Sequence, residues 1–102
     1  MQIGIDLGAT KIESVVLSND GKEHFREREP SPQSYEETIN IIKKIVINIE
    51  KKFKKNFNVG LCHPGAIIPE NGKLKNANNS AWLNNRTLQN DISKELNKNV
   101  YC

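Results

Sequence analysis

The chain has 102 residues, 36% of them hydrophobic, with 15 Lys plus Arg against 12 Asp plus Glu, which fits one small domain with a core and leaves no length for several. The net charge of +3 falls short of the concentrated basic stripe that a phosphate backbone demands, and lysine is enriched together with the uncharged Ile and Asn, so no nucleic-acid partner is expected. No apolar run approaches the roughly 18 residues of a membrane span, and the opening MQIGIDLG lacks a signal-peptide pattern, so no membrane contact is expected either.

Residues 2 to 7 alternate Ile3, Ile5 and Leu7 on one side with Gln2, Gly4 and Asp6 on the other, the period of a strand. Gly8-Ala9-Thr10-Lys11 follows as a turn, and Ile12 to Ser18 supplies a second β-rich run. Asn19-Asp20-Gly21 then breaks the chain in the manner of a hairpin. The charged run from 22 to 29 reads as a third, exposed strand, ended by Pro30 and Pro32.

Ser34-Tyr35-Glu36-Glu37 has the form of a capping box and opens the strongest helix signal. Tyr35, Ile39, Ile42, Ile45, Val46, Ile49 and Phe53 share one face, with Ile47 outside it. The lysines at 43, 44, 51, 52, 54 and 55 fall on the solvent side, and the last four suit a helix C-terminus. They read as a solvated face.

Phe57 to Cys62 reads as a buried strand running into the Pro64-Gly65 loop, and Asn71-Gly72 marks a tight turn between Ile67-Ile68 and Leu74. Asn76 to Arg86 lacks periodicity and reads as a loop anchored by Trp82 and Leu83. Leu88, Ile92 and Leu96 predict a second helix from Thr87 to Asn97, and Val100-Tyr101-Cys102 a last strand. This is a β-first α/β order with a helical crossover and no internal repeat. The two cysteines, Cys62 and Cys102, have no CxxC spacing. That is the usage of a reducing compartment, so a cytoplasmic location is expected.

The residues that point to chemistry lie first at Asp6-Leu7-Gly8-Ala9-Thr10-Lys11. A turn of small residues after a strand offers backbone N–H groups and the Thr10 hydroxyl to phosphate oxygens, because Gly8 and Ala9 have no bulk to hold an anion away. Asp6, just before it, suits a hydrated Mg²⁺ bridging those oxygens. The turn is neither a Walker A loop nor a dinucleotide fingerprint. By itself it is more commonly an ordinary hairpin.

These residues, however, resemble a known opening: Gly4-Ile5-Asp6-Leu7-Gly8-Ala9-Thr10-Lys11-Ile12-Glu13 is similar to the start of the ROK proteins, sugar kinases of the actin and hexokinase superfamily. Pro64-Gly65-Ala66-Ile67, Asn71-Gly72, Lys75-Asn76-Ala77-Asn78 and Trp82-Leu83-Asn84 recur in that order in fructokinase-like and N-acetylglucosamine-kinase-like members. Several separated motifs in one order are far more specific than one turn.

The resemblance implies a ribonuclease-H-like N-terminal lobe over residues 1–102, a mixed sheet with helical crossovers, incomplete and ending before the catalytic aspartate motif. It implies that Asp6, Gly8, Ala9, Thr10 and Lys11 grip the phosphates of ATP, with Mg²⁺ held through water near Asp6. Gly65, Ala66, Asn78, Asn79 and Ser80 are then set against a hexose, whose hydroxyls need donors and acceptors fixed in space. Trp82 reads as an anchor for that loop in preference to a stacking platform. No catalytic base is expected within the chain; it is placed beyond Cys102, together with a second lobe.

Three departures bear on this reading. The family usually has glycine where Ala9 stands, which implies backbone strain there. One extra residue stands between Asn78 and Trp82, blurring which of Asn78, Asn79 and Ser80 meets the sugar. Cys62-His63 replaces the usual pair before Pro64, and is expected as a buried structural pair in preference to a metal site.

The function expected is that of the N-terminal part of an ATP-dependent hexose kinase, transferring the γ-phosphate to a sugar hydroxyl, with fructose the first choice of sugar. The alternative is a non-catalytic ROK-type sugar sensor. Because β-structure begins at Gln2, no preceding DNA-binding module is expected. Surface that a missing lobe covers predicts self-association.

Overall fold

The computed structural model describes all of Met1–Cys102. Seven strands and two helices follow in the order β1 (Gln2–Leu7), β2 (Lys11–Leu17), β3 (Glu23–Pro30), α1 (Tyr35–Phe53), β4 (Asn58–Cys62), β5 (Ala66–Ile67), β6 (Leu74–Lys75), α2 (Leu88–Leu96) and β7 (Val100–Tyr101). The main sheet has the order β3-β2-β1-β4-β7. β1 and β2 are antiparallel, as are β2 and β3, whereas β4 runs parallel to β1 and β7 parallel to β4. Parallel neighbours need a crossover, and α1 and α2 supply the two.

The alternation in β1 sorts the sheet into two unlike faces. Ile3, Ile5, Leu7, Ile12, Val16, Val59, Leu61 and Val100 are buried and join one core cluster with Ile42, Ile45, Val46, Ile49, Leu88 and Ile92 from the helices. Each such aliphatic side chain contributes roughly 1.5–3 kcal/mol on burial. The registers place Gly4, Asp6, Glu13, Val15, Arg26, Arg28, Gly60, Cys62 and Tyr101 on the other face. No helix of the chain covers that face.

α1 begins where the capping signal predicts: the Ser34 hydroxyl oxygen accepts the Glu37 backbone N–H at 3.2 Å. Its apolar stripe is the predicted one, and Ile47 is 47% exposed. The helix ends with Lys54 in the left-handed region, φ 55°, its N–H donating to the Glu50 carbonyl. Lys52 and Lys55 lie over the rings of Phe25 and Phe57. Their stems cover the edge of the core, which fits their reading as a solvated face.

β3 is exposed along most of its length. Arg26 and Arg28 both reach Glu13 on β2. No helix is long and apolar enough to cross a membrane.

One expectation needs correction. Cys62 is not part of a buried pair but exposed, because it lies on the uncovered face of β4; His63 beside it is half-buried, its Nδ1 3.0 Å from the Pro64 carbonyl oxygen. Within the Asn76–Arg86 loop a short 3-10 turn forms at Ala81–Leu83, where Leu83 is wholly buried and Trp82 only half so. Both expected anchors hold the loop, Leu83 within the core and Trp82 packed against it from outside.

Candidate functional site

The two suspect loops leave the same end of the sheet. β1 and β4 are parallel neighbours with Asp6 opposite Cys62, so the Gly8–Lys11 turn that follows β1 and the His63–Gly65 segment that follows β4 emerge side by side. Ligands of open α/β sheets collect at the C-terminal ends of parallel strands, where loops diverge.

The first loop is held by its carbonyls. Gly8 N–H donates to the Lys11 carbonyl at 2.9 Å, closing the turn, and an added Cβ on Gly8 would lie 2.8 Å from that oxygen. The buried Ser31 donates its hydroxyl to the Gly8 carbonyl at 2.6 Å and its N–H to the Thr10 carbonyl at 2.9 Å. Gln33 adds a bond to the Ala9 carbonyl at 3.2 Å. Neither the Ala9 nor the Thr10 N–H donates to a backbone carbonyl. The loop is thus pinned from behind with two donors free at its tip, the arrangement that receives an anion. Ser31 and Gln33 were not visible as site residues, since they act across 23 and 24 positions of sequence.

The strain expected at Ala9 is absent. The positive-φ residues are Gly21, Gly65, Gly72, Lys54, Asn76, Asn85 and Asn97. An alanine fits this bend because residue 9 needs no glycine conformation.

Asp6 is exposed at the strand end beside Glu13 on β2. Glu13 is engaged by both Arg26 and Arg28. That leaves Asp6 as the acidic group facing outward near the loop. Of the sequence-predicted site residues, Asp6 alone lines the open cleft that also includes Glu13, Arg26, Gly60, Cys62 and Cys102.

The second loop is built on Gly65, at φ 78°, where a Cβ would lie 2.4 Å from the Lys75 carbonyl oxygen and 3.1 Å from the Ala77 nitrogen. The hairpin of β5 and β6 therefore folds back directly onto it. Asn84 accepts the Ala77 N–H at 3.0 Å, and Leu74 exchanges bonds with Arg86 and Asn85. Ala66, Asn78 and Asn79 are exposed at this loop, whereas Ser80 is 1% exposed. Asn78 and Asn79 thus present exposed amides there, and Ser80 belongs to the loop's interior.

The family model described as the ROK family matches residues 2–102. The chain belongs to the ROK family. It is 34% identical over 101 residues to an N-acetyl-D-glucosamine kinase of Haemophilus influenzae and 32% identical to that of Histophilus somni, in each case over 98% of this chain and 33% of the relative. Among solved structures, a ROK hexokinase from Thermus thermophilus superimposes with a TM-score of 0.83 at 19% identity, over 98% of this chain and 33% of that one. A ROK family glucokinase from Streptomyces griseus, in complex with glucose and AMPPNP, gives 0.83 at 21% identity over 98% and 31%. These likenesses establish the ROK fold, of the actin and hexokinase type. The chain spans about a third of the length of the relatives it matches.

Proposed function

We propose that this ROK chain is the N-terminal part of an ATP-dependent hexose kinase, in which the Gly8–Lys11 loop receives the terminal phosphates of ATP. The observation that carries this reading is the loop itself, its carbonyls tied to Ser31 and Gln33 and its Ala9 and Thr10 N–H groups left free. Asp6 fits a hydrated Mg²⁺, being an outward carboxylate next to that loop, and the ion would supply charge neutralisation on the phosphate oxygens. The chain's own part is positioning. Gly8 admits the phosphates, Thr10 and Lys11 contribute a hydroxyl and a cation, and Gly65, Ala66, Asn78 and Asn79 border the sugar from the adjacent strand end.

The base that accepts the sugar hydroxyl's proton is assigned outside residues 1–102. Fructose is suggested by the stretch from Lys75 to Asn84, and N-acetylglucosamine by the names of the curated relatives. Both belong in the first substrate panel.

The test is a titration of the chain with Mg-ATP, following backbone amide resonances. Shifts centred on Ala9 and Thr10, lost in Gly8→Val and weakened in Asp6→Asn, are expected. An unresponsive loop in the folded wild-type chain overturns the reading. Coupled turnover of ATP with either sugar on the 102-residue chain should stay at background, and activity above it would show that a base lies within these residues.

A further inference from the structure

We infer that Asn71 is a modification site gated by the β5–β6 hairpin: its side-chain amide is lost through a cyclic imide formed with Gly72, and only when the hairpin turn opens. The inference does not depend on the kinase reading. Asn71 is the one asparagine of the chain that precedes a glycine. Glycine has no side chain to shield its backbone nitrogen, so that nitrogen reaches a preceding asparagine side chain more readily than any other residue's. Asn71 is also exposed, open to the water and hydroxide that the reaction consumes and cycles.

The closed turn works against the attack. Gly72 N–H donates to the Ile68 carbonyl at 2.8 Å, and Ile68 N–H donates to the Lys73 carbonyl at 2.8 Å, so the attacking nitrogen sits inside a hydrogen-bonded loop. The Asn71 Oδ1 accepts the Lys73 N–H at 3.0 Å, which restricts rotation of the side chain under attack. That last bond also draws electrons from Cγ and on its own would favour addition. Addition, however, needs the deprotonated Gly72 nitrogen, and the Ile68 carbonyl holds its proton in place. The missing nucleophile outweighs the polarised carbonyl, and the closed turn is protected.

In the open turn hydroxide takes the Gly72 amide proton, and the nitrogen forms a bond to the Asn71 Cγ. The Cγ–Nδ2 bond breaks, and ammonia leaves with a proton from water, which restores the hydroxide. One water then opens the five-membered ring. Cleavage at Cγ leaves aspartate, and cleavage at the Asn71 main-chain carbonyl leaves isoaspartate. Either way the chain loses one ammonia and gains one water. The isoaspartyl product carries an extra methylene in the main chain, within the loop that Ile68 and Lys73 close. The same hairpin already presses its Lys75 carbonyl on Gly65.

The chain is incubated in mildly alkaline buffer with and without concentrated guanidinium chloride, its native circular dichroism being checked in the first sample. Peptide mapping that separates aspartyl from isoaspartyl products follows every asparagine, and hydrogen exchange of the Gly72 amide is measured in the same native buffer. In guanidinium chloride conversion should begin at Asn71. In the native chain it should be at least about tenfold slower, and the Gly72 amide should be protected by a similar factor, because one opening frees the same nitrogen for both reactions. Another asparagine converting first in the denatured chain would remove Asn71 as the site. A native rate equal to the denatured one, or a Gly72 amide that exchanges as fast as in an unfolded chain, overturns the gate.

Discussion

The Tyr35 hydroxyl at the start of α1 donates to the Asp91 carboxylate in the first turn of α2, 56 positions later. Thr87 donates to the other oxygen of the same carboxylate at 3.1 Å, and the Arg86 guanidinium lies 4.7 Å from the Tyr35 ring centre. This one acid joins the two crossover helices.

Burial first, and then the hydrogen bond and charge of Asp91, push the Tyr35 phenol well above its ordinary 10.0. The folded chain holds that proton where the unfolded chain releases it. The pair's contribution is complete below the unfolded value and is lost as pH rises toward the folded one. Tyr35→Phe should cost about 1–2 kcal/mol at neutral pH and flatten the alkaline fall in urea midpoint. A variant whose midpoint declines as steeply as the wild type contradicts this account.

Gly65 and Gly21 both have positive φ, yet only Gly65 is crowded, with the Lys75 carbonyl oxygen 2.4 Å from a built Cβ, while Gly21 faces open space. Gly21→Ala should lose about 1–2 kcal/mol, the cost of the left-handed conformation alone. Gly65→Ala adds displacement of the β5–β6 hairpin, and should lose about 3 kcal/mol or more. Chemical denaturation of the two variants compares them, and equal losses would mean that the hairpin does not press on Gly65.

Glu50 accepts the Phe57 N–H at 2.9 Å and the Lys98 ammonium at 2.5 Å, and Lys98 also donates to the Phe57 carbonyl at 2.8 Å. The end of α1, the approach to β4 and the approach to β7 meet there. Glu50→Ala leaves a backbone N–H and a cation without their acceptor and should cost about 2–3 kcal/mol by urea midpoint. A loss as small as that of a surface ion pair, about 0–1 kcal/mol, would count against the junction.

Lys54 occupies a left-handed helix cap at φ 55°. Glycine adopts that conformation without the Cβ penalty, so Lys54→Gly should raise stability by about 0.5–1 kcal/mol. Thermal melts decide it, and a lower midpoint would show that the lysine side chain holds the cap in some other way.

Where a period exposed a buried side, the sequence was legible: Ile3, Ile5 and Leu7 in β1, and the stripe from Tyr35 to Phe53 with Ile47 set apart. The ROK motifs likewise marked both loops at the sheet's end. What could not be read was long-range pairing. Nothing in Pro30-Ser31-Pro32 announces that Ser31 fastens the Gly8 loop, and nothing near Asn84 that its amide holds Ala77. Cys62 misled for a local reason. In Val59-Gly60-Leu61-Cys62 the glycine removes the polar residue that would have revealed an open face, so the run looked buried throughout.

β3 carries one sign of charge on each side. Arg26 and Arg28 share the side of Val15 and Glu13, while Glu27 and Glu29 share that of Ser14 and Ile12. A second copy of this strand laid along its free edge with like faces on the same side would set guanidinium beside guanidinium above and carboxylate beside carboxylate below. In that arrangement the outer margin of the sheet repels its own likeness, so the edge is a poor seed for the in-register stacking of strands into fibrils.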